Sequence, residues 1–280
     1  MKIKITSDST CDLSAELVQK HNISLFPLTI VKDGESFKDN VTITPADIFA
    51  HVAAGGDLCT TSAGNISDYV DFFSAFANEY DAILHISLGA GFSSSYQNAC
   101  LAAEEFSNIM VVDSQNLSTG HGHVVLYACA LAENCEDLSK LHSDVQAYTS
   151  RVEASFLLDQ LKYMVKGGRC SAAAALGANL LNLKPCIEVK DGKMGVVKKY
   201  RGSYAKCLAS YVKDRLENRD NIEKDLLFLT YTPVSDECLN TVRETISACS
   251  SFGEVVETTA GCTVSCHCGP GTLGVLFVRK

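Results

Sequence analysis

The sequence predicts an α/β protein: an N-terminal α/β/α domain with a mostly parallel sheet, over residues 1–155, and a smaller α+β domain over 156–280. Two observations predict it. Short β-branched strands alternate with amphipathic helices through the first half, as parallel sheets covered on both faces require. Near residue 150 the rhythm changes to two successive helical stretches followed by a hairpin. The composition agrees, with 46% apolar and 20% charged residues among 280, the balance of a folded globular chain.

Strands are expected at Lys2–Thr6, Leu25–Val31, Asp81–Ser87 and Ile109–Asp113, from their β-branched content and the turn residues at their ends. Thr44-Pro45-Ala46-Asp47 reads as a helix start: a Thr cap, Pro at the first helical position and an acid in the first turn. Tyr69, Phe72, Phe73 and Phe76 recur at three- and four-residue spacing and predict a helix over 67–79 with one apolar face. A further helix is expected over Tyr96–Phe106. Beyond residue 150, helices are expected at Leu158–Lys166, Ser171–Leu181, Ser203–Glu217 and Ser235–Cys249. Asp191-Gly192 marks the turn of a hairpin between Pro185–Lys190 and Met194–Tyr200. Strands Leu226–Tyr231, Glu254–Thr258 and Leu273–Val278 complete the second domain.

A formal charge of −9 excludes the basic stripe on which nucleic-acid binding depends, and equally an electrostatic hold on acidic lipids. The N-terminus reads as a first strand without a signal-peptide core, and no apolar run reaches bilayer length. Thirteen scattered cysteines, many at apolar helix or strand positions, read as reduced, buried thiols. These features point to a cytoplasmic protein.

Four hydroxyl-rich segments carry the chemistry: Thr6–Thr10, Thr60–Asn65, Ser87–Ser95 and Asp113–Gly120. They are expected at the carboxyl ends of the sheet strands, where open α/β folds bind ligands. Helix N-termini offer free N–H groups and partial positive charge there, so the segments suit a carboxylate or phosphate. Any one of them read alone is a set of caps and turns.

Rival motifs are incomplete. Gly91-Phe92-Ser93-Ser94-Ser95 approximates a nucleophile elbow, with Ser95 where a glycine belongs; His267 is a nominal base, and no partner acid is identifiable. Neither phosphate-binding glycine motif occurs. Gly167-Gly168-Arg169 reads either as a helix C-cap with an outward arginine or as a guanidinium near an anion. Cys262, Cys266, His267 and Cys268 match a zinc site in number, but adjacent residues converge poorly on one ion and no C-x-x-C pair exists. His267, before Gly269-Pro270-Gly271, is expected on a rigid loop, and no metal or cofactor is expected.

Taken in order, Ser7-Asp8-Ser9-Thr10-Cys11-Asp12-Leu13, Thr61-Ser62, Gly91-Phe92-Ser93-Ser94-Ser95-Tyr96-Gln97 and Val112-Asp113-Ser114 resemble the DegV family. So do Leu161-Lys162-Tyr163 with Lys166-Gly167-Gly168-Arg169, Leu180–Pro185, Arg201-Gly202 and His267–Gly274. The resemblance covers essentially the whole chain. It implies a two-domain protein that holds a long-chain fatty acid between its domains and presents the carboxylate to a separate kinase subunit. That partner, similar to the ATP-binding subunit of dihydroxyacetone kinases, makes the acyl phosphate; the chain itself is a carrier and not an enzyme. Transferred by position, the carboxylate contacts fall on Thr61, Ser93 and His267, with Ser62 and the Ser94 N–H as helpers. Arg169 corresponds to the family's Gly-Gly-Arg arginine, and Arg201 is a candidate for kinase docking. Two departures bear on the head group: Thr61-Ser62-Ala63-Gly64-Asn65 replaces Thr-Ser-Gln-Pro-Ser, and Ser94 replaces a glycine. Two other classes stand beside the carrier, a serine hydrolase built on Ser93 and a ligand-sensing regulator without a kinase.

Overall fold

The structure, a computed structural model, describes residues 1–175 and 183–280. In chain order it runs β1 (Ile3–Asp8), a 3-10 turn Ser9–Cys11, α1 (Ala15–Lys20), β2 (Ser24–Phe26), β3 (Thr29–Lys32), β4 (Glu35–Lys38), α2 (Pro45–Ala53), β5 (Thr60–Ser62) and α3 (Ile66–Ala77). There follow β6 (Ala82–Ser87), α4 (Ser95–Ala103), β7 (Ile109–Asp113), α5 (Ser118–Ala132), α6 (Leu138–Tyr148), β8 (Val152–Leu158), α7 (Lys162–Gly167) and α8 (Ser171–Ala174). The chain closes with β9 (Leu183–Lys190), β10 (Lys193–Arg201), α9 (Tyr204–Leu216), β11 (Leu226–Tyr231), α10 (Asp236–Cys249), β12 (Glu254–Thr259), α11 (Cys262–Cys268) and β13 (Thr272–Val278).

The expected parallel sheet is present, in the order β2-β1-β6-β7, every neighbour parallel. A six-stranded sheet follows, β10-β9-β8-β13-β11-β12, antiparallel except for the β11–β12 pair. Helix α5 lies between the two sheets. It packs on β1 and β6 on one side and on β8, β11 and β13 on the other. Its residues are accordingly buried from Ser118 through Val125, all the way round, as a helix enclosed on all sides must be. His121 bonds toward the parallel sheet, its Nε2 3.0 Å from Ile86 O and 2.9 Å from Ser7 Oγ. His123 bonds the opposite way, its Nε2 3.1 Å from Leu276 O.

Strand β13 shows why the second sheet is covered on both faces. Leu273, Val275 and Phe277 belong to the core under α9 and α10, while Leu276 and Val278 join the core around α5. The two-residue period sends alternate side chains to opposite faces. The capping box at Thr44 is formed, with Asp47 N donating to Thr44 Oγ1 and Thr44 N donating to Asp47 Oδ2. The hairpin turns at Asp191-Gly192 as expected.

Several expectations need correction. The run Leu25–Val31 is not one strand: it breaks at Pro27, which has no N–H to donate, into β2 of the parallel sheet and β3 of a small antiparallel sheet β4-β3-β5. Thr60–Ser62 is β5 of that small sheet, so this segment does not emerge from the parallel sheet. Leu158 ends strand β8, and the helix expected from it starts only at Lys162. The expected domain limit at 155/156 falls within β8. Of the helix expected over Ser171–Leu181, only Ser171–Ala174 is described; 176–182, including part of the Leu180–Pro185 motif, lie outside the described residues.

Candidate functional site

Asp8, at the carboxyl end of β1, is the fixed point of the site. Its fully buried carboxylate accepts from Tyr69 OH at 2.6 Å, Ser87 Oγ at 2.8 Å and Leu88 N at 2.7 Å, with the His85 ring 3.3 Å away. Burial pushes its pKa up, but these contacts outweigh burial and hold the carboxyl below its ordinary range. Asp8 thereby pins the first residues of the Ser87–Ser95 segment. Asp113 pins its middle to the next loop, its Oδ1 accepting from Ala90 N and Gln115 N. Ser93 then sits at the turn into α4, its Oγ 2.9 Å from Ser95 Oγ and accepting from Ser95 N at 3.1 Å.

His267 reaches the site from the other side, on the last turn of α11 and not on a loop as expected. Seven residues, C-T-V-S-C-H-C, carry no charge and little helix propensity, so tertiary contacts hold this helix. Its first N–H groups are taken by two buried carboxylates: Gly261 N donates to Asp12, and Cys262 N and Thr263 N donate to Asp39. Four-residue spacing then sorts its side chains. Cys262 and Cys266 enter a small apolar cluster with Ile30, Ile43 and Ile48, whereas Thr263, Val264, His267 and Cys268 line a cavity. The thiols therefore point apart, and no cluster of three metal-ligating residues occurs among the described residues.

The Gly-Gly-Arg motif has a separate task for each residue. A Cβ on Gly167 would strike His267 Nδ1, so this glycine admits the imidazole. Gly168 caps α7 with φ 68°, the left-handed conformation that favours glycine. Arg169 then turns into the cavity, Nε donating to Phe92 O at 3.1 Å and Nη1 to Gly167 O at 3.1 Å. The C-cap is formed as expected, and Arg169 is exposed while also lining the cavity.

His267 Nε2 lies 2.8 Å from Thr61 Oγ1 on β5. Burial, with the Arg169 charge second, lowers its pKa to about 4, so the ring is neutral at neutral pH. Nδ1 is buried without a hydrogen-bond partner among the described residues. An orphaned lone pair is tolerated better than an orphaned N–H, which assigns the proton to Nε2. His267 then donates to Thr61, and the Thr61 hydroxyl proton is free to donate elsewhere.

These groups share one cavity of about 400 Å³, which Thr61, Ser62, Ser93, Ser94, Arg169 and His267 all line. Its size falls in the range of small-molecule sites. Leu28, Leu88, Phe92, Leu117, Met164, Met194 and Val264 supply an apolar wall. The lining thus combines hydrogen-bond donors, to which Thr10, Asn65, Asn98 and Thr263 also belong, and the Arg169 cation with an apolar wall. Arg201 is not part of it; it ends β10 as an exposed residue. Sequence reasoning missed Asn98, which lines the cavity one turn into α4 and donates to Gly64 O at 2.7 Å, although its place just after the serine-rich turn was a usable signal. It also missed Asp12 and Asp39 as the holders of α11. No histidine bonds to Ser93 among the described residues, since Nε2 of His267 is on Thr61, so the hydrolase pair of nucleophile and base is not assembled.

A DegV domain-containing protein of Clostridium acetobutylicum is 31% identical over 281 residues, spanning 100% of this chain and 99% of its own. Among solved structures, one described as showing fatty-acid binding of a DegV family protein from Thermus thermophilus is 28% identical, with a TM-score of 0.89 and full coverage of both chains. A stearic-acid-binding protein from Eubacterium ventriosum is 25% identical, with a TM-score of 0.83, covering 99% of this chain and 98% of its own. The family model described as "uncharacterised protein, DegV family" matches residues 2–280, and the chain belongs to that family.

Proposed function

We propose that the protein binds a long-chain fatty acid, with its carboxylate at Thr61, Ser93 and His267, and presents it to a separate kinase subunit. One observation carries the reading: a single cavity is lined by hydroxyl donors, one arginine and an apolar wall. The relatives from Thermus thermophilus and Eubacterium ventriosum, described as binding a fatty acid and stearic acid, support the ligand class. Burial of about 14 methylenes at ~0.8 kcal/mol each yields on the order of 11 kcal/mol before the costs of association. A hydrogen bond to a charged group adds about 1.5–3 kcal/mol. The tail therefore supplies affinity, and the head-group residues supply orientation and selection of an acid over an alcohol.

The neutral His267 leaves charge balance to the Arg169 guanidinium, with Thr61 donating through its free proton. Ser62 and the Ser94 N–H assist, and Arg201, exposed at the end of β10, serves the docking of the kinase subunit. That partner, similar to the ATP-binding subunit of dihydroxyacetone kinases, carries out phosphoryl transfer, and this chain is the carrier. The two sheets act as two domains, the second beginning with β8 (Val152–Leu158).

Lipid extracted from the freshly purified protein and identified by mass spectrometry tests the ligand class. Near-stoichiometric fatty acid is expected; none, even after incubation with a fatty-acid mixture, would sink the reading. Ser93→Ala and Thr61→Val should reduce the preference for palmitate over hexadecanol, and an unchanged preference would remove the head-group assignment. His267→Ala is expected to keep the fatty acid yet lose acyl-phosphate formation in the presence of the kinase subunit and ATP.

A further inference from the structure

Beyond the cavity that His267 and Thr61 line is a second, smaller space. It is bounded by Ala154 and Phe156 of β8, Val189 of β9 and Leu276 of β13, deep between α5 and the six-stranded sheet. The two spaces share three lining residues: Leu117, just before α5, and Val264 and Cys268, one turn apart on α11. Leu117 is 9% exposed, Val264 9% and Cys268 4%, so all three are packed in place.

The inner space holds about 30 Å³, on the order of one methyl- or water-sized group. Its buried hydroxyls are already engaged within the protein. Ser118 donates to Asp12, Thr230 bonds Thr119 and Thr258, and Ser155 bonds Tyr211. Thr232 and Thr272 donate to the carbonyls of Gly269 and Cys268. A water there would find few free partners, whereas a methyl group needs none.

We propose that Leu117, Val264 and Cys268 form a neck that sets the length of acyl chain the protein accepts, the inner space receiving the methyl end. This rests on the fatty-acid reading and deepens it. Each methylene that can be buried raises affinity roughly fourfold, from about 0.8 kcal/mol per CH₂. The gain continues until the methyl end fills the inner space and stops there. Widening the neck adds to the room open to the chain and lets the gain run further; narrowing it ends the gain earlier.

The test is the affinity of the full chain for a series of straight-chain saturated acids, measured calorimetrically. Wild type is compared with Leu117→Ala, Val264→Ala and Val264→Phe. The wild type should show the roughly fourfold rise per methylene up to one chain length and a plateau beyond it. The plateau should move to longer acids in the two alanine variants and to shorter ones in Val264→Phe. Thermal melting identifies a variant that does not fold, and the two Val264 variants decide the matter if Leu117→Ala is lost. A plateau at the same length in wild type and in the folded variants overturns the neck while leaving fatty-acid binding intact. No binding of any acid by the wild type overturns both.

Discussion

Asp12 is a buried carboxyl whose protonation changes near neutral pH. Burial pushes its pKa up to about 7 from 3.8; Ser118 Oγ and Gly261 N–H pull it down, and the nearby Asp39 adds to the rise. The folded chain therefore holds a proton that the unfolded chain has released between about pH 4 and 7. This group's contribution to stability is present at the acid end of that window and is lost as pH rises through about 7. His267, His121 and His123 act oppositely, because burial lowers each to about 4 from 6.5. Their contribution is present above 6.5 and is lost as pH falls toward 4. Asp12→Asn removes one titration, so its stability relative to wild type should climb across the window by at most about 1.4 kcal/mol per pH unit. Urea unfolding at several pH values reads this directly; a pH-independent difference would refute the assignment. Thr61, Ser93, Arg169 and His267 were legible in the sequence because a motif surrounds each of them. Asp12 was not legible as a holder of α11, because its partner Gly261 lies 249 residues away and only the fold brings them together.

At the level of elements, legibility followed periodicity. The hairpin, α3, α9, α10 and β11 carry clear apolar periods or turn residues and stand close to their expected limits. β8 was missed because its run, V-E-A-S-F-L-L, is buried at both faces toward its end and so does not alternate. α11 was missed because a helix buried on every side shows no polar face. Its dependence on tertiary partners gives a prediction. Asp39 accepts from Ser9 Oγ, Thr263 Oγ1 and two N–H groups of α11. Asp39→Ala leaves those N–H groups buried without partners and should cost about 2–4 kcal/mol, with loss of ligand retention as His267 shifts. Retention at the wild-type level in a folded Asp39→Ala protein would show that α11 holds without this cap. Tyr211 plays the corresponding part in the second sheet. Its OH donates to Ser155 O on β8 at 2.7 Å and accepts from Val275 N on β13 at 3.0 Å. Tyr211→Phe should lower stability by about 1–3 kcal/mol in denaturant melts without changing the ligand bound.

Across the whole molecule, three separate pieces of chain meet at the cavity: the strand-end loops of the parallel sheet, β5 with α11, and α7 with the hairpin. Two contacts hold the last of these against the first. The Gly192 carbonyl lies so close to Gly91 that a Cβ there would collide with it, and Arg169 Nε donates to Phe92 O. Gly91→Ala should push the hairpin turn away from the loop and lower the fraction of protein that retains lipid through purification. Full retention would show that this contact does not help enclose the cavity.

The same contact has a kinetic consequence. Under the proposed function, a bound tail whose exit requires the hairpin and the loop to part exchanges at the rate of that opening. Residence time is then set by the protein as well as by the hydrophobicity of the cargo, and two acids of different affinity are expected to leave at nearly the same rate.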